Sequence, residues 1–83
     1  MVKVLYFAGL REALGTGAED VALDAGVADI AALRRQLAAR GETWQALLHT
    51  KNLRAALNQR MVGEAASLKD GDEVAFFPPV TGG

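Results

Sequence analysis

The chain has 83 residues, 51% of them hydrophobic, with 10 acidic and 9 basic side chains and a net charge of −1. That is one small globular domain; it excludes a disordered chain, an enzyme with an interdomain cleft and a strongly basic nucleic-acid binder. With no cysteine and one histidine, His49, the sequence also excludes disulfide scaffolds, thiol nucleophiles and a Cys- or His-built metal site.

Residues 2–7 are β-branched and aromatic and predict a strand, with Val2, Val4 and Tyr6 on one face and Lys3, Leu5 and Phe7 on the other. Residues 8–18 carry Gly9, Gly15 and Gly17 and read as a loop. Residues 19–24 predict the second strand of a hairpin, with Val21 and Leu23 pointing one way. Residues 27–40 predict the main helix, because Ile30, Leu33, Leu37 and Ala38 form an apolar stripe at helical spacing. Gly26 is its expected N-cap, Asp29 falls in its first turn, and Gly41 is its expected C′ residue. Arg34, Arg35 and Arg40 complement the dipole towards its end. Trp44, Leu47 and Leu48 predict a short second helical turn that closes the edge of the core.

Leu53, Ala55 and Leu57 alternate with Arg54, Ala56 and Asn58 as a further strand. A tight turn at residues 58–60 leads to a brief strand around Met61-Val62, and Asp70-Gly71 marks another turn. Residues 73–77 form the last strand, which Pro78-Pro79 ends because neither donates a ladder hydrogen bond. The order β-β-α-(α)-β-β-β predicts an α+β fold. A mixed sheet of about five strands with one main helix on one face is the β-grasp, ubiquitin-like architecture. The domain is expected to cover residues 1–77, with residues 78–83 as a projecting tail.

No catalytic constellation stands out. Hydroxyls are limited to Ser67, Tyr6 and four threonines, and His49 adjoins Leu47-Leu48 in a helical turn as a surface or half-buried side chain. Gly15-Thr16-Gly17 follows no strand directly and lacks a third glycine, so it is no phosphate loop. Asp70, Asp72 and Glu73 read as a solvated turn rather than a metal site. No apolar run approaches the roughly 20 residues of a membrane span. Arg11-Glu12 cuts short the apolar stretch from Lys3 to Leu10, so a cytoplasmic protein without membrane or nucleic-acid partners is expected.

The unusual feature is the end, Phe76-Phe77-Pro78-Pro79-Val80-Thr81-Gly82-Gly83. Pro78-Pro79 drives the backbone out of the sheet along an extended path. The six residues from Pro78 to Gly83 reach about 20 Å at roughly 3.3–3.6 Å each. Gly82-Gly83 has no side chains and fits a channel that other residues would block. Its terminal carboxylate is the reactive group at the tip.

These residues, preceded by Leu68-Lys69-Asp70-Gly71-Asp72-Glu73-Val74-Ala75, resemble the C-terminus of the molybdopterin synthase small subunits, the sulfur carriers of molybdenum cofactor biosynthesis. Val4-Leu5-Tyr6-Phe7-Ala8 with Arg11-Glu12, Ala32-Leu33-Arg34 and Ala56-Leu57-Asn58-Gln59 carry the resemblance through the chain. It implies that an adenylating enzyme uses ATP to activate the Gly83 carboxylate, and that a sulfur donor then displaces AMP to leave a thiocarboxylate. The tail, Pro78, Pro79, Val80, Thr81 and Gly82, would thread into the large subunit of the synthase. There sulfur passes to a cyclic pterin precursor, with the catalytic side chains and pterin pocket in the large subunit. The chain itself would bind no cofactor and would not be catalytic alone. A sulfur carrier for thiazole synthesis and a ubiquitin-like protein modifier share the fold and the Gly-Gly end.

A carrier needs a docking face. With Val2, Val4, Tyr6, Val74 and Phe76 turned to the helix, Leu5, Phe7, Met61 and Phe77 are expected on the opposite face as an apolar patch near the tail root, with Arg11 at its rim. Residues 61–83 hold Lys69 against Glu64, Asp70, Asp72 and Glu73, so the surface around the tail is expected to be acidic and its partner groove basic.

Overall fold

The computed structural model describes residues 1–79, and Val80, Thr81, Gly82 and Gly83 lie outside the described residues. Five strands form one sheet: β1 (Val2–Tyr6), β2 (Ala18–Val21), β3 (Arg54–Leu57), β4 (Arg60–Val62) and β5 (Glu73–Phe77). Their order across the sheet is β2-β1-β5-β3-β4. β1 and β5 are parallel neighbours, and the other pairs are antiparallel. The helices are α1 (Ala8–Leu14), α2 (Ile30–Ala38) and α3 (Ala46–His49), with a 3-10 turn at Thr43–Gln45 leading into α3. This is the mixed-sheet β-grasp expected from the sequence.

The core lies between one sheet face and α2. Val2, Val4 and Tyr6 of β1, Val74 and Phe76 of β5, and Ile30, Leu33 and Leu37 of α2 are all buried in it. Period 2 in the strands and period 3.6 in the helix place these side chains there. Leu47 of α3 is also buried, and Trp44 packs against the cluster.

Four expectations are corrected. Residues 8–18 are not one loop: α1 forms, turns Leu10 into the core, and ends at Gly15, whose φ of 75° suits a left-handed cap. The main helix is shorter than residues 27–40 because Asp29, not Gly26, caps it: the Asp29 carboxylate accepts from the Ala32 N–H at 2.8 Å. The preceding N–H groups, of Ile30 and Ala31, donate to the Ala66 and Glu64 carbonyls at 3.1 and 3.0 Å. At its other end the cap is Ala39, so Gly41 lies one position beyond C′. Leu48 faces solvent rather than the core, since a helix of four residues has room for one buried apolar position, taken by Leu47.

The β3–β4 hairpin turns on Asn58 and Gln59, both with positive φ (50° and 69°), the backbone of a two-residue turn that matches strand twist. Asn58 then reaches across to β5. Its Nδ2 donates to Asp72 Oδ1 at 3.0 Å, its Oδ1 accepts from the Glu73 N–H at 2.9 Å, and its own N–H donates to the Glu73 carbonyl at 2.8 Å.

Candidate functional site

The strand registers arrange the outer sheet face in three transverse rows. The first joins Asp20, Lys3 and Glu73 and is charged. The second runs Ala18, Leu5, Ala75, Ala56, Met61 across all five strands. Three of its five side chains are alanine, which leaves the middle of the face flat. The third holds Phe77, with Arg54 directly opposite it in the β3–β5 ladder. Phe7 follows β1 and closes this row: its N–H donates to the Phe76 carbonyl at 3.2 Å, and its ring meets that of Phe77 edge-on, 6.3 Å between centroids.

The four apolar residues singled out from the sequence therefore share one face. Phe7 (45% exposed) and Met61 (54%) project most, while Leu5 and Phe77 are half-buried. α1 does not cover them, because its buried residue, Leu10, turns the other way into the core. Arg11 stands apart from the patch. Its guanidinium lies over Gly17 at the β2 end, where a Cβ would come within 3.0 Å of Nε.

β5 delivers the chain to this face. It lies inside the sheet, hydrogen-bonded on both sides, and ends at Phe77. Pro78 and Pro79 then line an open groove with Asn52, Arg54 and Phe77. This overturns the expected acidity of the tail root. The carboxylates Asp70, Asp72 and Glu73 stand at the start of β5, and the strand carries Phe77 about 13 Å away from them at 3.3 Å per residue. Glu64 pairs with Arg34 on the helix layer. The charged side chain in the groove is a cation, Arg54.

The acidic turn has a structural task. Asp72 is buried, and its carboxylate accepts from Asn58 Nδ2 and from the Lys69 N–H at 2.9 Å. Those bonds, the Asn58 one first, hold its pKa below the usual carboxylate range. They fix the start of β5 and so the place where its far end leaves the sheet. A shallow depression of about 560 Å³ in the helix layer, lined by Ala39, Gly41, Glu42, Gln45 and His49, gathers no comparable set of groups. No helix among the described residues is long and apolar enough to cross a membrane.

Residues 4–83 match the ThiS family. A curated relative, the molybdopterin synthase sulfur carrier subunit of Escherichia coli, is 51% identical over 83 residues, the whole of both chains. The chain belongs to the ThiS family and, within it, to the molybdopterin synthase sulfur carrier subunits. Among solved structures, the protein–protein complex of subunit 1 and 2 of molybdopterin-converting factor from Helicobacter pylori holds a chain that matches with a TM-score of 0.68. The identity is 26%, covering 99% of this chain and 97% of that one. The small archaeal modifier protein 1 of Methanosarcina acetivorans matches with a TM-score of 0.77 at 26% identity, covering 99% and 95%.

What sequence reasoning missed is Arg54. Its alternation in the strand was legible, but its place opposite Phe77 depends on how two segments separated by 15 residues pair.

Proposed function

We propose that this chain carries sulfur for molybdopterin synthase on its C-terminal glycine. The supporting observation is where the tail begins: the central strand β5 ends at Phe77, beside an uncovered apolar row, and two prolines lead the chain off the sheet. A body that docks through that face sends its tail into the same partner. The identity with the Escherichia coli sulfur carrier subunit supports the reading along the full chain.

The chemistry resides in the Gly83 carboxylate. A carboxylate is a poor electrophile, so an adenylating enzyme first lets it attack the α-phosphorus of ATP, with pyrophosphate leaving. Sulfur from a separate donor then adds at the acyl carbon and AMP leaves. The resulting thiocarboxylate is anionic at neutral pH and needs no neighbouring base, in keeping with a chain of no cysteine and one exposed histidine. In the large subunit its sulfur passes to the cyclic pterin precursor, and two transfers build the dithiolene. Pro78, Pro79, Val80, Thr81 and Gly82 thread the channel, and Leu5, Phe7, Met61 and Phe77 dock the body.

Deletion of Gly83 is expected to abolish sulfur transfer and leave circular dichroism and melting unchanged. A deletion variant that still supports pterin conversion in a reconstituted assay overturns the carrier reading. The likeness to an archaeal modifier protein makes one alternative specific. One oxygen replaced by sulfur at Gly83, seen by mass spectrometry, supports a carrier, and isopeptide adducts on lysines support a modifier. The acceptor of the sulfur separates pterin from thiazole synthesis.

A further inference from the structure

Arg54 and Phe77 are directly paired residues of an antiparallel ladder, so they project from the same face with Cβ atoms about 4.5–5.5 Å apart. Arg54 is exposed and makes no ion pair among the described residues. Among the described residues, the groove it shares with Asn52, Phe77, Pro78 and Pro79 is lined by no carboxylate. A partner that covers Phe77 therefore strips water from a guanidinium that has no counter-ion among the described residues. Burying an unpaired cation is strongly unfavourable, whereas a planar guanidinium binds a carboxylate through two parallel hydrogen bonds.

We propose that Arg54 is a specificity-determining residue of the tail root, which takes a carboxylate of the protein partner that closes over Phe7 and Phe77. The inference rests on the carrier reading, because that reading brings a partner to this face. An acyl-adenylate on Gly83 offers a competing anion, its phosphate. In a tail drawn out into a partner channel the four residues beyond Pro79 set that phosphate about 13–14 Å away, past the reach of one arginine side chain. The groove thus selects a partner with an acidic rim around its tail channel, the reverse of the basic rim that the sequence charge count implies.

The test is calorimetric titration of the large subunit of molybdopterin synthase with wild type, Arg54→Ala, Arg54→Lys and Arg54→Glu, each at low and high salt. Arg54→Glu is expected to weaken binding by about tenfold or more at low salt, and Arg54→Ala by less, with a flatter salt dependence. Arg54→Lys is expected to retain part of the affinity. Urea midpoints stay unchanged because the side chain is exposed. Arg54→Glu binding as tightly as wild type overturns the inference. So does unaltered affinity for the large subunit with loss confined to the adenylation step, which assigns Arg54 to the phosphate. The wild-type titration tests the carrier reading separately: a wild type that does not bind the large subunit overturns that reading and takes this inference with it.

Discussion

Phe76 and Phe77 are chemically identical neighbours with opposite tasks. Phe76 is fully buried beneath α2, while Phe77 is half-buried on the outer face against Phe7. Phe76→Ala is expected to cost roughly 3–5 kcal/mol of folding stability by urea denaturation. Phe77→Ala loses an edge-on aromatic pair, about 0.5–1.5 kcal/mol, and the part of the side chain already buried, but it also removes the part still exposed, a share of the ~150–250 Å² that an aromatic side chain can bury, which docking would cover. Affinity for the large subunit is then expected to fall tenfold or more, about 1.4 kcal/mol. The inverse pattern, with Phe77→Ala unfolding the chain, contradicts the face assignment. This division was legible in the sequence, because alternation within one strand is a local property. The pairing of Arg54 with Phe77 and of Asn58 with Asp72 was not, because each joins segments whose register is set by the whole sheet.

The elements show the same contrast between local signals and tertiary context. α2 was legible from its stripe of Ile30, Leu33, Leu37 and Ala38, all buried, but its start was misplaced. Gly26 and Asp29 are both acceptable caps by type, and the choice falls to Asp29 because residues 63–68 bond to the helix start there: Leu68 N–H meets the Ala28 carbonyl at 2.9 Å. Asp29→Ala is expected to cost about 0.5–2 kcal/mol, and Asp29→Asn much less, since asparagine caps equally well. Equal losses for the two, measured by urea denaturation, would falsify the capping role. α1 was missed because Ala8-Gly9 is a poor helix start, with Ala8 at φ 51°. The available signal was Leu10 and Leu14 four apart, followed directly by Gly15.

The whole molecule uses its two sheet faces differently: one packs beneath the helices, and the other leaves Phe7 and Met61 exposed. On the helix side, a polar circuit joins β1, β2, the end of α2 and the 3-10 turn. The buried Tyr6 hydroxyl donates to Glu19 Oε2 at 2.9 Å, and Arg40 donates to the same oxygen at 2.7 Å. Arg40 also lies 4.5 Å over the Trp44 ring, which meets Tyr6 edge-on. Arg40 holds the Glu19 carboxyl below its usual range, while burial and then Glu19 push the Tyr6 phenol well above its own. The lowered Glu19 contributes stability that is present above its unfolded pKa of about 4.3 and is lost as pH falls through the lower folded value. The raised Tyr6 contributes stability that is fully present below about pH 10 and is lost as pH rises beyond it. Asp72, also lowered, adds to the acid side only. Glu19→Gln removes the charge but leaves Tyr6 buried. Its urea midpoint is therefore expected to lie below wild type at pH 7, to change less between about pH 5 and 3, and to keep most of the alkaline decline. Parallel acid profiles for the two proteins, each measured by urea titration, would show that Glu19 does not couple the helix layer to the sheet.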